Sequence, residues 1–81
     1  MKFVIVGCGS MGRRRARCLH ALGHHDILAV DNKPERRRQI ESELKVETCD
    51  DFDTALGKSP DLVLICLPPD LHADYLLRCI A

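Results

Sequence analysis

Three glycines and one acid are the residues of this chain whose types and spacing could do chemistry: Gly7-Cys8-Gly9-Ser10-Met11-Gly12, with Asp31 nineteen positions further on. A G-x-G-x-x-G alone is weak evidence. This one follows a strand-like run, Lys2-Phe3-Val4-Ile5-Val6, opens a helix-like run, and has its acid at the distance a βαβ unit requires. The chemistry is the grip on a dinucleotide. Gly7 would permit the tight turn out of the strand, Gly9 would let the backbone approach a pyrophosphate, and Gly12 would let the helix pack on the sheet. The N–H groups of the first helical turn, around Ser10 to Arg13, would face the phosphates, where the helix dipole favours negative charge. Asp31 would accept hydrogen bonds from the adenosine ribose.

The elements that must position these groups alternate between strand and helix. Residues 2–6 predict a first strand. Residues 11–22 predict a helix with Met11, Ala16, Leu19 and Leu22 on one face, stopped by Gly23. Ile27-Leu28-Ala29-Val30 makes a second strand ending at Asp31. Pro34 suits the first turn of a charged helix over 34–44, held by Ile40 and Leu44. Lys45 to Cys49 alternates as a short edge strand, and Asp50 or Asp51 can cap a turn of helix containing Phe52, Ala55 and Leu56. The unbroken apolar run 62–67 reads as a strand buried on both faces, as at the centre of a parallel sheet. Pro68-Pro69 ends it, and Asp70 caps a last helix with Ala73, Leu76, Leu77 and Ile80 along one side. Right-handed crossovers fold this string into an α/β, doubly wound parallel sheet of four βα units in the order 3-2-1-4. The loops at Gly7–Gly12 and Pro68–His72 then leave neighbouring strands at their carboxyl ends, where open α/β sheets bind ligands.

Composition narrows the function classes. Twelve basic and twelve acidic side chains cancel, so no global field attracts nucleic acid or an anionic membrane. Five cysteines without a C-x-x-C pair fit a reducing cytoplasm better than a disulfide framework. The longest apolar run falls far short of a membrane span. His24-His25 has no partner set at metal-ligand spacing beyond Asp26, so no metal site is expected. Cys8, near a helix N-terminus, reads as a small loop residue rather than a reactive thiol.

Three stretches carry a family resemblance: Gly7 to Arg14, then Ala29-Val30-Asp31-Asn32-Lys33-Pro34-Glu35-Arg36, then Asp61 through Leu67-Pro68-Pro69-Asp70-Leu71-His72. With Asp50-Asp51-Phe52 they run through nearly the whole chain. It resembles the N-terminal part of the glucose-fructose oxidoreductase, inositol dehydrogenase and MocA (Gfo/Idh/MocA) group of NAD(P)-dependent oxidoreductases. The resemblance implies that Pro68 and Pro69 border the nicotinamide ribose and that His72 helps fix their loop. It also implies hydride transfer between a nicotinamide cofactor and a sugar- or polyol-like substrate. Family members continue into a fifth strand, a Glu-Lys-Pro motif whose lysine assists that transfer, and a substrate domain. None of these lies within the 81 residues, so residues 1–81 read as an incomplete dinucleotide-binding domain with no catalytic residue of its own. A non-catalytic nucleotide-sensing module is the alternative, and a structural fragment without a ligand the third.

The cofactor residues expected are therefore Gly7, Gly9, Ser10, Met11, Gly12, Arg13, Asp31, Asn32, Arg36, Leu67, Pro68, Pro69 and His72. Arg13 lies nearest the loop in a basic cluster that opposes the helix dipole unless an anion binds. Asp31 favours NAD, because its charge repels a 2′-phosphate by up to ~4 kcal/mol per charge pair at ~4 Å. Lys33 and Arg36 offset this, leaving NADP as the alternative. If no fifth strand follows, the apolar strand 62–67 becomes an edge, and a homodimer through it and the last helix is expected.

Overall fold

The computed structural model describes residues 1–67 together with Cys79. Its first strand, β1 (Phe3–Val6), is four consecutive apolar residues, all buried, which requires cover on both faces. The cover follows from the order of the sheet, β3-β2-β1-β4, all parallel. β2 (Ile27–Val30) pairs along the whole of β1, Phe3 opposite Ile27 and Val6 opposite Val30. On the other side β4 (Leu62–Ile65) runs in register from Phe3–Leu62 to Val6–Ile65. The outer strand β3 (Glu47–Cys49) pairs with β2.

Alternate residues of the strands feed two cores. Phe3, Ile5, Ile27 and Ala29 meet α1 (Ser10–Ala21) and α2 (Pro34–Leu44) through Ala16 and Ile40. Val4, Val6, Leu28 and Val30 meet α3 (Phe52–Leu56) through Phe52 and Ala55. The β3-to-β4 crossover must traverse the sheet to the far side of β1, and the face opposite α1 and α2 is where it does so.

Helix α1 does not present the apolar stripe expected of it. Gly12 and Ala16 are buried and Leu19 packs against the core, whereas Met11 is 58% exposed and Leu22, already past the helix end, 75%. The face turned to the sheet is thus the small-residue row Gly12, Ala16, Leu19, at spacings of four and three. Small side chains bring the helix axis close to β1, and Met11 lies off that row. Gly23 ends the helix with φ +92.

Helix α2 has Pro34 in its first turn, as the sequence suggests, and Lys45 in the left-handed region at its end. One residue anchors it: Ile40 is fully buried, while nearly every other position is exposed. Arg17 reaches across from α1 to Glu43 at 2.6 Å, an exposed pair that adds about 0–1 kcal/mol. For α3 the cap is Asp51, whose carboxylate accepts the Thr54 N–H at 3.0 Å.

Strand β4 is less covered than the expected burial on both faces. It stands where the order 3-2-1-4 puts it, at an edge among the described residues, with Leu62 44% exposed and Val63, Leu64 and Ile65 half-buried. Cys66, just past β4, donates to the Val6 carbonyl at 2.8 Å, and the chain after β1 turns at Gly7. The expected last helix lies outside the described residues except for the exposed Cys79.

Candidate functional site

The carboxyl ends of β1, β2 and β4 converge on the glycine loop, and each glycine in it answers to a different constraint. Gly7 has φ +95, and its N–H donates to the Val30 carbonyl at 2.7 Å. A Cβ there would lie 2.6 Å from the Cys66 carbonyl oxygen and 3.0 Å from Leu67 Cδ2. The residue after β4 therefore packs directly on the turn after β1. A Cβ on Gly12 would lie 1.7 Å from the Gly7 carbonyl oxygen, so the helix leaves the loop over its own first residue with no room for a methyl group.

Gly9 is different. Its φ and ψ, −75 and −164, are open to any residue, and a Cβ would meet only the Arg36 guanidinium, at ordinary contact distances of 3.5 and 3.7 Å. It is the N-cap of α1, in the extended geometry from which Ser, Thr or Asp would cap the helix, yet it brings no side chain. No acid stands in the first turn either. The N–H groups of Ser10, Met11 and Gly12 thus point out of a positive helix end with no side-chain cap. Among the described residues nothing requires glycine at this position.

Asp31 holds this loop to the end of β2. One carboxylate oxygen, Oδ2, accepts the buried Cys8 N–H at 2.8 Å; the other, Oδ1, accepts the Lys33 N–H at 2.9 Å. Arg37 donates to the Asp31 carbonyl at 2.7 Å, and the Arg36 guanidinium stands 3.7 Å from Oδ2. Residue-type spacing pointed to Asp31 as a candidate ribose ligand and missed this internal work. The signal for half of it was present: Asp31-Asn32-Lys33-Pro34 is an Asx turn entering a helix, in which the carboxylate caps the N–H two residues on. The bond to Cys8 spans 23 residues and is invisible without the fold.

The structure brings Gly7, Gly9, Ser10, Gly12, Asp31, Arg36 and Leu67 to one end of the sheet. Asn32 and Ser10 are exposed beside it. Arg13 is half-buried, and its Nε is buried without a hydrogen-bond partner. Met11 faces the β4 side of α1, in an open groove with Arg15, Cys18, Leu62 and Cys66. Pro68, Pro69 and His72 lie outside the described residues.

Cys8 is fully buried, and burial together with the Asp31 carboxylate pushes its thiol up to about 12, against the opposing pull of Arg36 and Arg37. It stays a neutral thiol at physiological pH and packs beneath the loop; it is no nucleophile. Burial also raises Cys66. All five cysteines are free. Among the described residues no group of His, Cys, Asp and Glu could hold a metal ion, and no helix is long and apolar enough to cross a membrane.

Across residues 1–81 the chain matches the family model for the Gfo/Idh/MocA group, described as an oxidoreductase family with an NAD-binding Rossmann fold. No curated protein matches it.

Proposed function

Because this chain belongs to the Gfo/Idh/MocA oxidoreductase family and is its NAD-binding Rossmann domain, we propose that it binds NAD across the glycine loop as the cofactor half of a sugar- or polyol-oxidising enzyme. The observation that carries this reading is the bare N-cap at Gly9, which no packing constraint explains and which a pyrophosphate on the helix end would. The N–H groups of Ser10, Met11 and Gly12 donate to that pyrophosphate. Arg13 faces it from the first turn. Asp31, with Asn32 beside it, marks the adenosine ribose, Leu67 is seated on Gly7, and the family resemblance assigns Pro68, Pro69 and His72 to the nicotinamide side.

The cofactor, once bound, supplies the hydride acceptor or donor; the residues of this chain bind it and orient it. In this reading the groups that hold substrate and move its proton belong to a second domain outside residues 1–81, and the whole acts in the cytoplasm. A nucleotide-sensing module would use the same loop, and it is the family match that favours the oxidoreductase.

The test is a titration of the chain with NAD and NADH, read by calorimetry and thermal melting. At 100 times its dissociation constant the dinucleotide stabilises the fold by ~2.7 kcal/mol, on the order of ten degrees in a domain this small. Absence of any heat or shift at millimolar nucleotide overturns the reading.

Self-association belongs to the same proposal. Strand β4 offers its outer side with Leu62 exposed, and such an edge is a template for a second copy of the chain. Sedimentation at tens of micromolar is expected to show a dimer, and a clean monomer removes this part of the proposal.

A further inference from the structure

On the face of the sheet that carries α1 and α2, the strands are covered unevenly. Phe3, Ile5, Ile27 and Ala29 are buried there, whereas Leu64 and Cys66, on the same face, are only half-buried at the border of that core. Beyond α1 the surface over β4 opens into a groove of about 530 Å³. Helix α1 lines one side with Met11, Arg15 and Cys18, and Leu62, Leu64 and Cys66 line the other. Met11 and Leu62 are exposed, so the groove presents apolar surface that no described residue covers.

Arg15 is the one charged residue of this lining. No ion pair among the described residues engages it. Its charge opposes the rise that burial imposes on the Cys66 thiol, so the guanidinium lies within electrostatic reach of Cys66, just past the carboxyl end of β4. Helix α1 starts at that end of the sheet and runs back, which brings Cys18 toward Leu62. The groove is therefore cationic at one end and uncharged along the rest. A second copy seated face to face would set Arg15 against Arg15, with no acid in the lining to separate them. An amphipathic anion with a single charged end meets no such conflict.

We propose that this groove binds a medium-chain aliphatic carboxylate, with its head group on Arg15 and its hydrocarbon chain along β4 toward Leu62. From Cys66 back to Leu62 is about 13 Å at ~3.3 Å per residue, the reach of an extended chain of about ten carbons built from ~1.52 Å bonds. The guanidinium presents paired N–H groups to the carboxylate. The Met11 thioether and the Cys18 and Cys66 thiols give the chain soft, adaptable surface. The site lies along β4 rather than over the glycine loop and does not rest on the dinucleotide reading.

Decanoate, decanol and decyltrimethylammonium share a chain and differ in head-group charge, while acetate carries the head group alone. Each is titrated, below its micellar concentration, into the isotope-labelled chain, with amide shifts locating the site and calorimetry giving the affinity. Decanoate is expected to bind with a dissociation constant of about 0.1–1 mM and to shift Arg15, Cys18 and Leu64. From hexanoate to decanoate, affinity rises about two- to fourfold per carbon. Decanol binds about three- to tenfold more weakly, and acetate and the ammonium do not bind. Arg15→Gln brings decanoate down to the level of decanol and leaves decanol unchanged. Cys18→Glu weakens decanoate by about tenfold or more. Both positions are exposed on α1, so each variant keeps the wild-type far-ultraviolet signal.

Absence of decanoate binding, equal affinity for the three ten-carbon ligands, or unchanged decanoate affinity in both variants overturns the proposal. Shifts confined to Ser10 and Gly12 put the anion on the helix end and overturn it too. Groove shifts that follow protein concentration without ligand make a second copy the occupant, with the same consequence.

Discussion

Gly12→Ala is expected to abolish the fold at room temperature, seen as loss of far-ultraviolet helix signal without denaturant. The added methyl group would stand 1.7 Å from the Gly7 carbonyl oxygen, and neither partner can yield. Gly7 is pinned by its own N–H to the Val30 carbonyl at 2.7 Å and by the Cys66 carbonyl pressing on its Cα side. Moving the helix instead would lift Ala16 and Leu19 off the core shared with Ile5 and Ile40. A clash of this kind costs upward of about 4 kcal/mol. A domain of 81 residues has roughly 4–12 kcal/mol to lose. Gly23→Ala is the control: nothing lies within 4 Å of a Cβ there, so only the ~1–2 kcal/mol of left-handed strain at φ +92 applies. A Gly12→Ala chain that unfolds in urea within about 1 kcal/mol of wild type would mean that the helix does not leave the loop as described.

The second large effect is Gly9→Ser, whose two consequences have opposite signs. Position 9 has the backbone of an N-cap, so a serine hydroxyl would bond the Met11 or Gly12 N–H and leave stability equal or a few tenths of a kcal/mol higher. The same hydroxyl occupies the donors that the pyrophosphate needs and places a side chain where its oxygens approach. Affinity for NAD is expected to fall by about 100-fold, as when charge-assisted bonds to a phosphate are lost. Gly9→Val, which blocks the approach without capping, should lose binding as well, at a stability cost of about 1 kcal/mol. Calorimetry with NAD reads the first quantity and urea unfolding the second. Undiminished binding in the serine variant would show that the helix end is not the pyrophosphate site.

These two glycines show why a motif is a composite. Gly12 is demanded by the fold, whereas packing among the described residues leaves room at Gly9, although in the sequence they are equivalent members of one pattern. Gly7 belongs with Gly12, since a Cβ there meets the Cys66 carbonyl oxygen. Asp31 crosses the division: its position at the end of β2 marks it as a ligand residue, while its carboxylate bonds to Cys8 and Lys33 make it a structural clamp as well.

Where sequence reasoning went astray, it inferred burial from residue type alone. Met11 and Leu22 are apolar and at helical spacing, but the face of α1 that meets β1 is set by Gly12 and Ala16, whose smallness rather than hydrophobicity brings the helix close. The run Leu62 to Leu67 reads as buried on both faces, yet at an edge of the described sheet Leu62 is 44% exposed and Val63, Leu64 and Ile65 are only half-buried. Arg17 reaches Glu43 on α2 because two helices on one side of a parallel sheet lie side by side, a pairing that residue type alone does not show.

The sequence by itself determined the order of strands and helices, the sheet order, the glycine loop and its acid, because these depend on local periodicity, on glycine's lack of a side chain and on the handedness of crossovers. Only the tertiary structure decided which glycine serves the fold and which faces outward, how fully Asp31 is engaged, and that Arg36 stands over Gly9. Those are relations between residues up to 59 positions apart, fixed by the packing of three strand ends, and no local pattern in the chain encodes the distances on which they depend.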